Sequence, residues 1–449
     1  KNRVGPDVTV RYAQGIGTGG PPAVPATALS PPDQPTVRGL LGEYFPNATL
    51  SGTPQLTRVD EQVNFNFGNG EPAPELPTDN FSVRWTGTLT APTSGDYVLG
   101  TTSDDGSRLF IDGQQVVDNW GVHIARTVTA TVHLDAGPHS VRIEYFDGTG
   151  GASMTFGWLP PGVLNDALQA AVDAAKASDV AVVMVGDNES EGRDRPSMAL
   201  SVGQDELVQA VAAANPRTVV VVKSGAPVLM PWVDKVPAIL EAWYPGEEDG
   251  NVVASLLFGD VNPSGKLPIT FPRAGGDVPA NTPAQYPGIN GVATYSEGVF
   301  VGYRHYDAHG IEPLFPFGYG LSYTTFNVSH LETEAEDGEV QVEVTVTNTG
   351  SRTGSQVVQV YIGHPADEVV PEPPHQLGGF LKVTLRPGQS QHVTIRLPAR
   401  AFAHWDIAKH AFVVTGGTYR VFAGSSSRDL PLSRTVRLRE MEVGNVVGD

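Results

Sequence analysis

The spacing of apolar residues changes twice along the 449-residue chain. Between residues 39 and 160, short runs that alternate apolar and polar positions, such as 141–146, or are rich in β-forming residues, such as 108–111, are separated by turns rich in Gly and Asp. A period of two is typical of strands that bury one face, and several short strands at this spacing predict a β-sandwich. From 340 to 346 every second residue is valine. This pattern continues into later runs and predicts a second sandwich.

The segment between the two sandwiches has a different period. Leu164, Leu168 and Val172 fall on one face of a predicted helix, whereas residues 180–185 and 218–223 are almost wholly apolar. Apolar runs of this length without a polar face predict parallel strands that are covered on both sides. Because such runs alternate with helical segments three times, we expect a layered α/β domain.

The first 38 residues fit neither pattern. Residues 8–12, Val-Thr-Val-Arg-Tyr, predict a short strand, and a stretch rich in Gly, Pro and Ala follows as far as residue 35. Such a stretch cannot build a core and predicts a linker. An isolated strand followed by a linker indicates a piece of a domain whose remainder lies elsewhere.

The composition of the chain limits the classes of molecule that it can bind. Lysine and arginine number 29 against 49 aspartates and glutamates, which gives a net charge of −20. Nucleic acids and anionic membranes are therefore unfavourable partners, whereas neutral sugars are not repelled. The absence of cysteine excludes disulfides, thiolate metal sites and a cysteine nucleophile, and it leaves the compartment open.

Several other kinds of site find no support in the sequence. No apolar run reaches the roughly 18 residues of a membrane span, and no signal peptide is visible at the first residues. The 11 histidines are scattered without metal-ligand spacing, so we expect neither a metal nor a cofactor. The Asp104-Asp105 turn could offer carboxylates to calcium, but a tight turn explains it better.

The loop after residues 180–185 concentrates charged groups at the predicted end of a strand. Its charged residues are Asp187, Glu189, Glu191, Arg193, Asp194 and Arg195. Ligands of open α/β sheets bind at the carboxyl ends of the strands, and a carboxyl whose pKa is raised can act as a general acid. A solvated charged turn is the alternative. Trp243 and Tyr244 end another strand, where they could contact a sugar or simply pack beneath a helix.

Taken together, these stretches resemble glycoside hydrolase family 3, a family of β-glucosidases and β-xylosidases. The loop at 189–195 resembles the family's acid/base loop, whose core is Glu-Gly-x-Asp-Arg. Further similar motifs occupy residues 243–247, 259–272, 297–306 and 316–323. Residues 39–160, which contain Ser-Asp-Asp-Gly-Ser-Arg-Leu, resemble the anthrax protective-antigen-type module that some family members insert into their α/β domain.

The resemblance implies an α/β sandwich domain that is interrupted by a protective-antigen-type β-sandwich and followed by a fibronectin type III-like β-sandwich. The implied boundaries are 1–38 for the first part of the α/β domain with its linker, 39–160 for the inserted sandwich, 161–320 for the rest of the α/β domain, 321–438 for the fibronectin type III-like domain and 439–449 for a tail.

The family also has an N-terminal barrel that supplies the nucleophilic aspartate, and no Ser-Asp-Trp nucleophile motif occurs in this sequence. Retaining glycosidases need a nucleophile and an acid/base about 5–5.5 Å apart. The resemblance therefore implies that this chain supplies the acid/base, Glu191 or, as the alternative, Glu189. Arg193, Asp194 and Arg195 would orient the loop. A barrel-bearing chain or fragment of the same enzyme would complete the site.

The resulting expectation is the C-terminal part of a retaining β-glucosidase that acts on terminal β-D-glucosyl residues of an oligosaccharide or of a glucosylated natural product such as a macrolide. Trp120 and His123 are candidate contacts on the aglycone side, with a core position as the alternative for Trp120. We expect a bacterial, extracellular protein, and a homodimer of the complete enzyme is compatible with the resemblance. The opposing hypothesis is a catalytically inactive carbohydrate-binding or scaffold protein.

Overall fold

A computed structural model describes residues 3–15, 20–161, 166–187, 189, 195, 197–201, 203–336, 339–365 and 371–444. The chain divides into two compact units. The first contains Lys1–Gly186, Leu200–Val222 and Pro231–Leu240, and the second contains Asp187–Ala199, Lys223–Met230 and Glu241–Asp449.

The first unit contains a β-sandwich of two antiparallel sheets. Its strands are β1 (Leu29–Ser30), β2 (Leu40–Phe45), β3 (Leu56–Asp60), β4 (Asn64–Gly68), β5 (Phe81–Ala91), β6 (Gly95–Asp104), β7 (Ser107–Ile111), β8 (Gln114–Asn119), β9 (Arg126–Leu134), β10 (Gly137–Asp147) and β11 (Ala152–Leu159). One sheet has the order β3-β2-β5-β10-β7-β8, with β1 paired to β5, and the other has the order β4-β11-β6-β9.

Alternation along the strands explains the core of this sandwich. In β10 the side chains of Val141, Ile143 and Tyr145 are buried, whereas Arg142 and Glu144 between them are less so. Trp85 and Tyr97 are among the largest side chains that are fully buried. Burial of apolar area at about 25 cal/mol per Å² makes this core the main source of stability of the sandwich.

The α/β part of the first unit has its helices next to a small sheet. Its elements are α1 (Asp166–Lys176), β12 (Ala181–Gly186), α2 (Gln204–Ala214), β13 (Thr218–Lys223) and β14 (Ala238–Glu241). The sheet has the order β12-β13-β14. The amides of Ala181 and Asp187 bond to the carbonyls of Arg217 and Lys223 respectively, so that the register advances in the same direction on both strands and β12 runs parallel to β13.

Two predictions about this region are wrong. We expected β12 to be covered on both sides, but Val182 and Met184 are 47% and 49% exposed, while Val183 between them is buried. The described helices α1 and α2 contact each other and α2 contacts β12, so they cover the buried face of that strand. Residues 8–12, which the sequence predicts to be a strand, form none, because no strand of the described chain lies beside them.

The second unit contains two further helices and the second sandwich. The elements are α3 (Asp249–Leu257), α4 (Tyr303–His309), β15 (Phe326–Glu336), β16 (Glu339–Asn348), β17 (Gly354–Gly363), β18 (Gln376–Leu385), β19 (Ser390–Pro398), β20 (Ala403–Asp406), β21 (Ala411–Val414), β22 (Gly417–Gly424), β23 (Leu432–Leu438) and β24 (Met441–Val443). The sheets have the orders β15-β16-β19, β18-β17-β22-β23 and β20-β21-β24.

The valine alternation in β16 is confirmed. Val340, Val342, Val344 and Val346 are all at most 1% exposed and belong to one hydrophobic cluster with residues of β17, β19 and β22. Among the described residues, no helix is long and apolar enough to cross a bilayer.

Candidate active site at the strand ends

The candidate site lies where the parallel strands of the α/β part end. Asp187 directly follows β12, Ser224 and Gly225 follow β13, and Trp243 and Tyr244 come shortly after β14. Since the carboxyl ends of parallel strands meet at one edge of a sheet, residues far apart in sequence can converge there. All five of these residues belong to the second compact unit.

Asp187 is the centre of the hydrogen-bond network. Its side chain is only 6% exposed, and its Oδ2 accepts a bond of 2.6 Å from Nη1 of Arg195. Its Oδ1 accepts a very short bond from the hydroxyl of Tyr244 and a longer one, 3.3 Å, from the amide of Gly225. Arg195 is also held by the carbonyl of Pro227 at 2.8 Å. The network ties the strand-end loops together around a buried carboxylate.

Glu189 is the second carboxylate of this network. Its Oε1 lies 3.0 Å from Nε of Arg195, as an ion pair without the alignment of a hydrogen bond, so one guanidinium serves both Asp187 and Glu189. Burial raises the pKa of Glu189, the adjacent Asp187 raises it further, and Arg195 opposes both effects. A carboxyl with a raised pKa and a side chain that is 28% exposed is suited to giving and taking a proton.

The absence of a side chain at Gly225 lets the Glu189 carboxylate and the Tyr244 ring lie close to the backbone of residue 225. A Cβ atom there would lie 2.3 Å from Oε2 of Glu189 and 3.0 Å from the ring of Tyr244. Any larger residue at position 225 would therefore displace the Glu189 carboxylate or the Tyr244 ring.

Sequence reasoning missed Glu241, the last residue of β14. Its Oε1 accepts a 2.9 Å bond from the amide of Trp243, which has a left-handed backbone with φ of 53°, and its Oε2 is buried without a hydrogen-bond partner. Burial raises the pKa of Glu241 to about 7; the Trp243 amide opposes this, and Asp187 adds to it. The only sequence signal was a carboxylate inside the apolar run Ala-Ile-Leu-Glu-Ala-Trp.

The predicted site residues at the strand ends divide into three groups. Glu191, Arg193 and Asp194 lie outside the described residues, so their predicted roles stay predictions. Glu189 and Arg195 are brought together with Tyr244 around Asp187, a residue to which the sequence assigned no role of its own. Trp243 packs near Phe271, with ring centroids 6.2 Å apart, which fits the packing alternative, whereas Tyr244 remains 52% exposed.

Trp120 and His123 lie in the first unit, after β8. The Trp120 ring is half-buried, 4.7 Å from the ring of Phe146 and beneath the guanidinium of Arg108 at 4.2 Å. Both ring nitrogens of His123 bond to backbone carbonyls, those of Asn119 and Ile124. These contacts order the loop. The role of the two residues on the aglycone side stays a prediction.

The turn at Asp105 is explained by its own hydrogen bonds. Its Oδ1 accepts a 2.7 Å bond from the amide of His123, and its Oδ2 accepts a 2.8 Å bond from the amide of Gly148. A buried aspartate that binds two loops through their backbone amides fits the turn interpretation of this sequence.

Comparison with known proteins identifies the family of the chain. Residues 4–323 match the glycosyl hydrolase family 3 C-terminal domain, and residues 356–427 match a fibronectin type III-like domain. A β-glucosidase of Rhizobium radiobacter is 38% identical over 421 residues, which cover 88% of this chain and 51% of that protein. A probable β-glucosidase J of Aspergillus fumigatus is 40% identical, with 84% of this chain and 48% of that protein covered.

Solved structures agree with these relatives. DesR, a β-glucosidase from Streptomyces venezuelae solved in complex with D-glucose, has a TM-score of 0.70 and 34% identity over 97% of this chain and 51% of that chain. A β-glucosidase from Kluyveromyces marxianus in complex with glucose has a TM-score of 0.61 and 30% identity over 93% of this chain and 52% of that chain. The chain thus spans about half the length of the relatives that it matches. On this evidence the chain belongs to glycoside hydrolase family 3.

Proposed function

We propose that this chain is the C-terminal part of a retaining β-glucosidase that releases terminal, non-reducing β-D-glucosyl residues. The observation that supports this proposal best is the paired carboxylates Asp187 and Glu189 around Arg195 at the strand ends of a family 3 domain. The relatives named as β-glucosidases supply the reaction, since a cluster of carboxylates alone does not choose a substrate.

In this mechanism the nucleophilic aspartate comes from a barrel on another chain or fragment of the enzyme. It attacks the anomeric carbon while the acid/base carboxyl protonates the departing glycosidic oxygen. The same carboxylate then takes a proton from water, which hydrolyses the glycosyl-enzyme and releases glucose with retained configuration. Glu191 is the proposed acid/base and Glu189 its alternative; Arg193, Asp194 and Arg195 orient the loop.

The substrate's aglycone is proposed to meet the inserted sandwich. We assign residues 39–160 to a protective-antigen-type module, consistent with the two packed antiparallel sheets of β1 to β11. The loop with Trp120 and His123 would border the aglycone of an oligosaccharide or of a glucosylated natural product such as a macrolide. We further propose an extracellular location for the complete enzyme.

The decisive experiment compares Glu191→Gln with Glu189→Gln in the chain combined with its barrel part. Loss of the acid should slow hydrolysis of cellobiose, whose leaving group needs a proton, by about 10²–10⁴-fold. The leaving group of a dinitrophenyl glucoside departs without a proton. Formation of the glycosyl-enzyme from this substrate should therefore keep its wild-type rate. The variant with this split identifies the acid/base residue, and the other serves as its matched control.

Two outcomes would contradict the proposal. If neither variant slows cellobiose hydrolysis, the loop does not supply the acid/base. If the chain combined with its barrel part hydrolyses no β-glucoside, the carbohydrate-binding or scaffold hypothesis is correct. An intact-mass measurement of the protein purified from its source tests whether a barrel-bearing chain accompanies it.

A further inference from the structure

Glu241, the last residue of β14, contacts the backbone at the ends of two neighbouring strands. Its Oε1 accepts a 2.9 Å bond from the amide of Trp243, two residues farther along the chain. The hydroxyl of Ser224, directly after β13, lies 3.5 Å from the same oxygen, and the Ser224 amide is a further donor to this carboxyl. Since Ser224 is fully buried, water does not compete for these contacts. One carboxyl therefore links the end of β13 to the end of β14.

Each of these backbone partners directly precedes a donor to Asp187. Gly225 follows Ser224, and its amide donates to Oδ1 of Asp187 at 3.3 Å. Tyr244 follows Trp243, and its hydroxyl donates to the same oxygen. Because adjacent residues share a rigid peptide unit, a shift of Ser224 or Trp243 also moves the donor that follows it.

The backbone of Trp243 explains why a hydrogen-bond acceptor is needed at position 241. Its φ of 53° lies in the left-handed region, which a bulky residue adopts only when the surrounding structure compensates the strain. The Trp243 ring packs near Phe271, with centroids 6.2 Å apart, and the amide bonds Glu241. The bond to Glu241 therefore stabilises the backbone conformation from which Tyr244 reaches Asp187.

We propose that Glu241 is a positioning residue for the proposed reaction, because it fixes the strand ends that carry both of these donors to Asp187. Asp187 in turn shares Arg195 with Glu189, so the effect extends to the loop that carries the proposed acid/base. Oε2 of Glu241 is buried, and we assign this residue no contact with the substrate. The inference rests on the proposed function only for its effect on hydrolysis, since the bond to the Trp243 amide can be tested in this chain alone.

Hydrogen exchange of the Trp243 amide, measured by mass spectrometry on peptides that contain this residue, tests the local step. Glu241→Leu removes the acceptor and keeps a side chain of similar size, so the amide should exchange about three- to tenfold faster. Glu241→Gln keeps an oxygen that can accept the bond, and should retain the protection of the wild type. Unchanged exchange in Glu241→Leu would show that the carboxyl does not hold the strand end.

Hydrolysis of cellobiose by the chain combined with its barrel part tests the positioning role. In Glu241→Leu, kcat should fall by about tenfold while KM changes little, because the displaced groups hold the carboxyls and do not bind the sugar. Glu241→Gln should restore most of kcat. The matched control is Asp60→Ala, which removes a buried carboxylate from the first sandwich and should leave kcat of the folded enzyme unchanged.

Three results would overturn the proposal or separate it from the proposed function. A wild-type kcat in Glu241→Leu contradicts positioning. Equal losses of kcat in Glu241→Leu and Glu241→Gln also contradict it, since they would make the charge, and not the accepted hydrogen bond, the important property. If the wild-type enzyme hydrolyses no β-glucoside while the exchange rates differ as expected, the proposed function fails and Glu241 still holds the strand ends.

Discussion

Asp60 in the first sandwich and Asp187 at the strand ends accept nearly the same kinds of hydrogen bond. Asp60 binds the hydroxyl of Tyr44 at 2.6 Å, Nε of Arg58 at 2.7 Å and the indole N–H of Trp85 at 2.7 Å. Asp187 likewise binds a tyrosine hydroxyl, an arginine and an N–H group. Both side chains are 6% exposed, so burial does not distinguish the two carboxylates.

What differs is the surroundings of each network. Tyr44 and Trp85 are fully buried, whereas Arg58, which bonds both Asp60 and Tyr44, keeps 36% of its side chain exposed, so only the aromatic partners of Asp60 are enclosed in a core. At the strand ends Tyr244 is half-exposed, and Arg195 is shared with a second carboxylate, Glu189. A buried carboxylate that bonds an arginine and a tyrosine is therefore a candidate for chemistry when a second carboxyl near solvent shares the same arginine.

Removing the two carboxylates should separate the networks most clearly. In Asp60→Ala the indole of Trp85 and the hydroxyl of Tyr44 lose their acceptor inside the core, and each unpaired buried group costs about 1–3 kcal/mol. We expect the free energy of unfolding, measured by urea denaturation, to fall by about 3 kcal/mol. In Asp187→Ala the half-exposed Tyr244 can bond water and Arg195 keeps Glu189 as its partner, so the loss should be smaller, about 1.5 kcal/mol. Equal losses would remove the distinction.

The strand ends should also show a pH dependence that comes from Glu241. Its pKa is raised to about 7 by burial, whereas in the unfolded chain it has its ordinary value, so the folded state binds the proton more tightly. The stabilisation is therefore complete below the unfolded pKa and is lost as the pH rises through about 7. Relative to Glu241→Gln, the wild type should lose about 2–3 kcal/mol of unfolding free energy between about pH 4 and pH 8.

Glu241→Gln is the appropriate variant because its amide oxygen can still accept the bond from the amide of Trp243. If wild type and Glu241→Gln show parallel pH profiles, the pKa of Glu241 is the same in the folded and the unfolded chain, and burial does not raise it.

The sequence predicted the elements whose pattern is local. Alternating valines in β16 and the apolar runs of β12, β13 and β14 identify strands because each period is set by neighbours in the chain. Whether a strand gains a partner or a cover depends on distant segments, which is why residues 8–12 form no strand and Val182 and Met184 are exposed.

The candidate site was predictable only as a loop. Position after an apolar run pointed to the charged residues of this loop as a set, and the family resemblance selected Glu189 and Arg195 among them. Tyr244 reaches Asp187 across 57 residues of sequence, and the contact of Gly225 with Glu189 depends on two strands ending side by side. These relations arise from the parallel sheet, and no spacing in the sequence encodes them.

Replacing the tyrosine of each network should give the smallest difference in the free energy of unfolding, and the most specific one. Tyr44→Phe removes a buried hydroxyl that bonds both Asp60 and Arg58, and should lower the unfolding free energy by about 1.5 kcal/mol. Tyr244→Phe removes the hydroxyl of a half-exposed tyrosine and should change the unfolding free energy by less than about 0.5 kcal/mol.

The rate of hydrolysis should fall more in Tyr244→Phe than in Tyr44→Phe, the reverse of the order expected for stability. Without the Tyr244 hydroxyl, Oδ1 of Asp187 keeps, among the described residues, the 3.3 Å bond from Gly225, so the carboxylate next to Glu189 is held less firmly. In the chain combined with its barrel part, Tyr244→Phe should slow cellobiose hydrolysis by about tenfold, whereas Tyr44→Phe should leave the rate of the folded enzyme unchanged. A Tyr244→Phe enzyme with the wild-type rate would show that Asp187 is structural like Asp60, and that a shared arginine does not distinguish a catalytic network from a structural one.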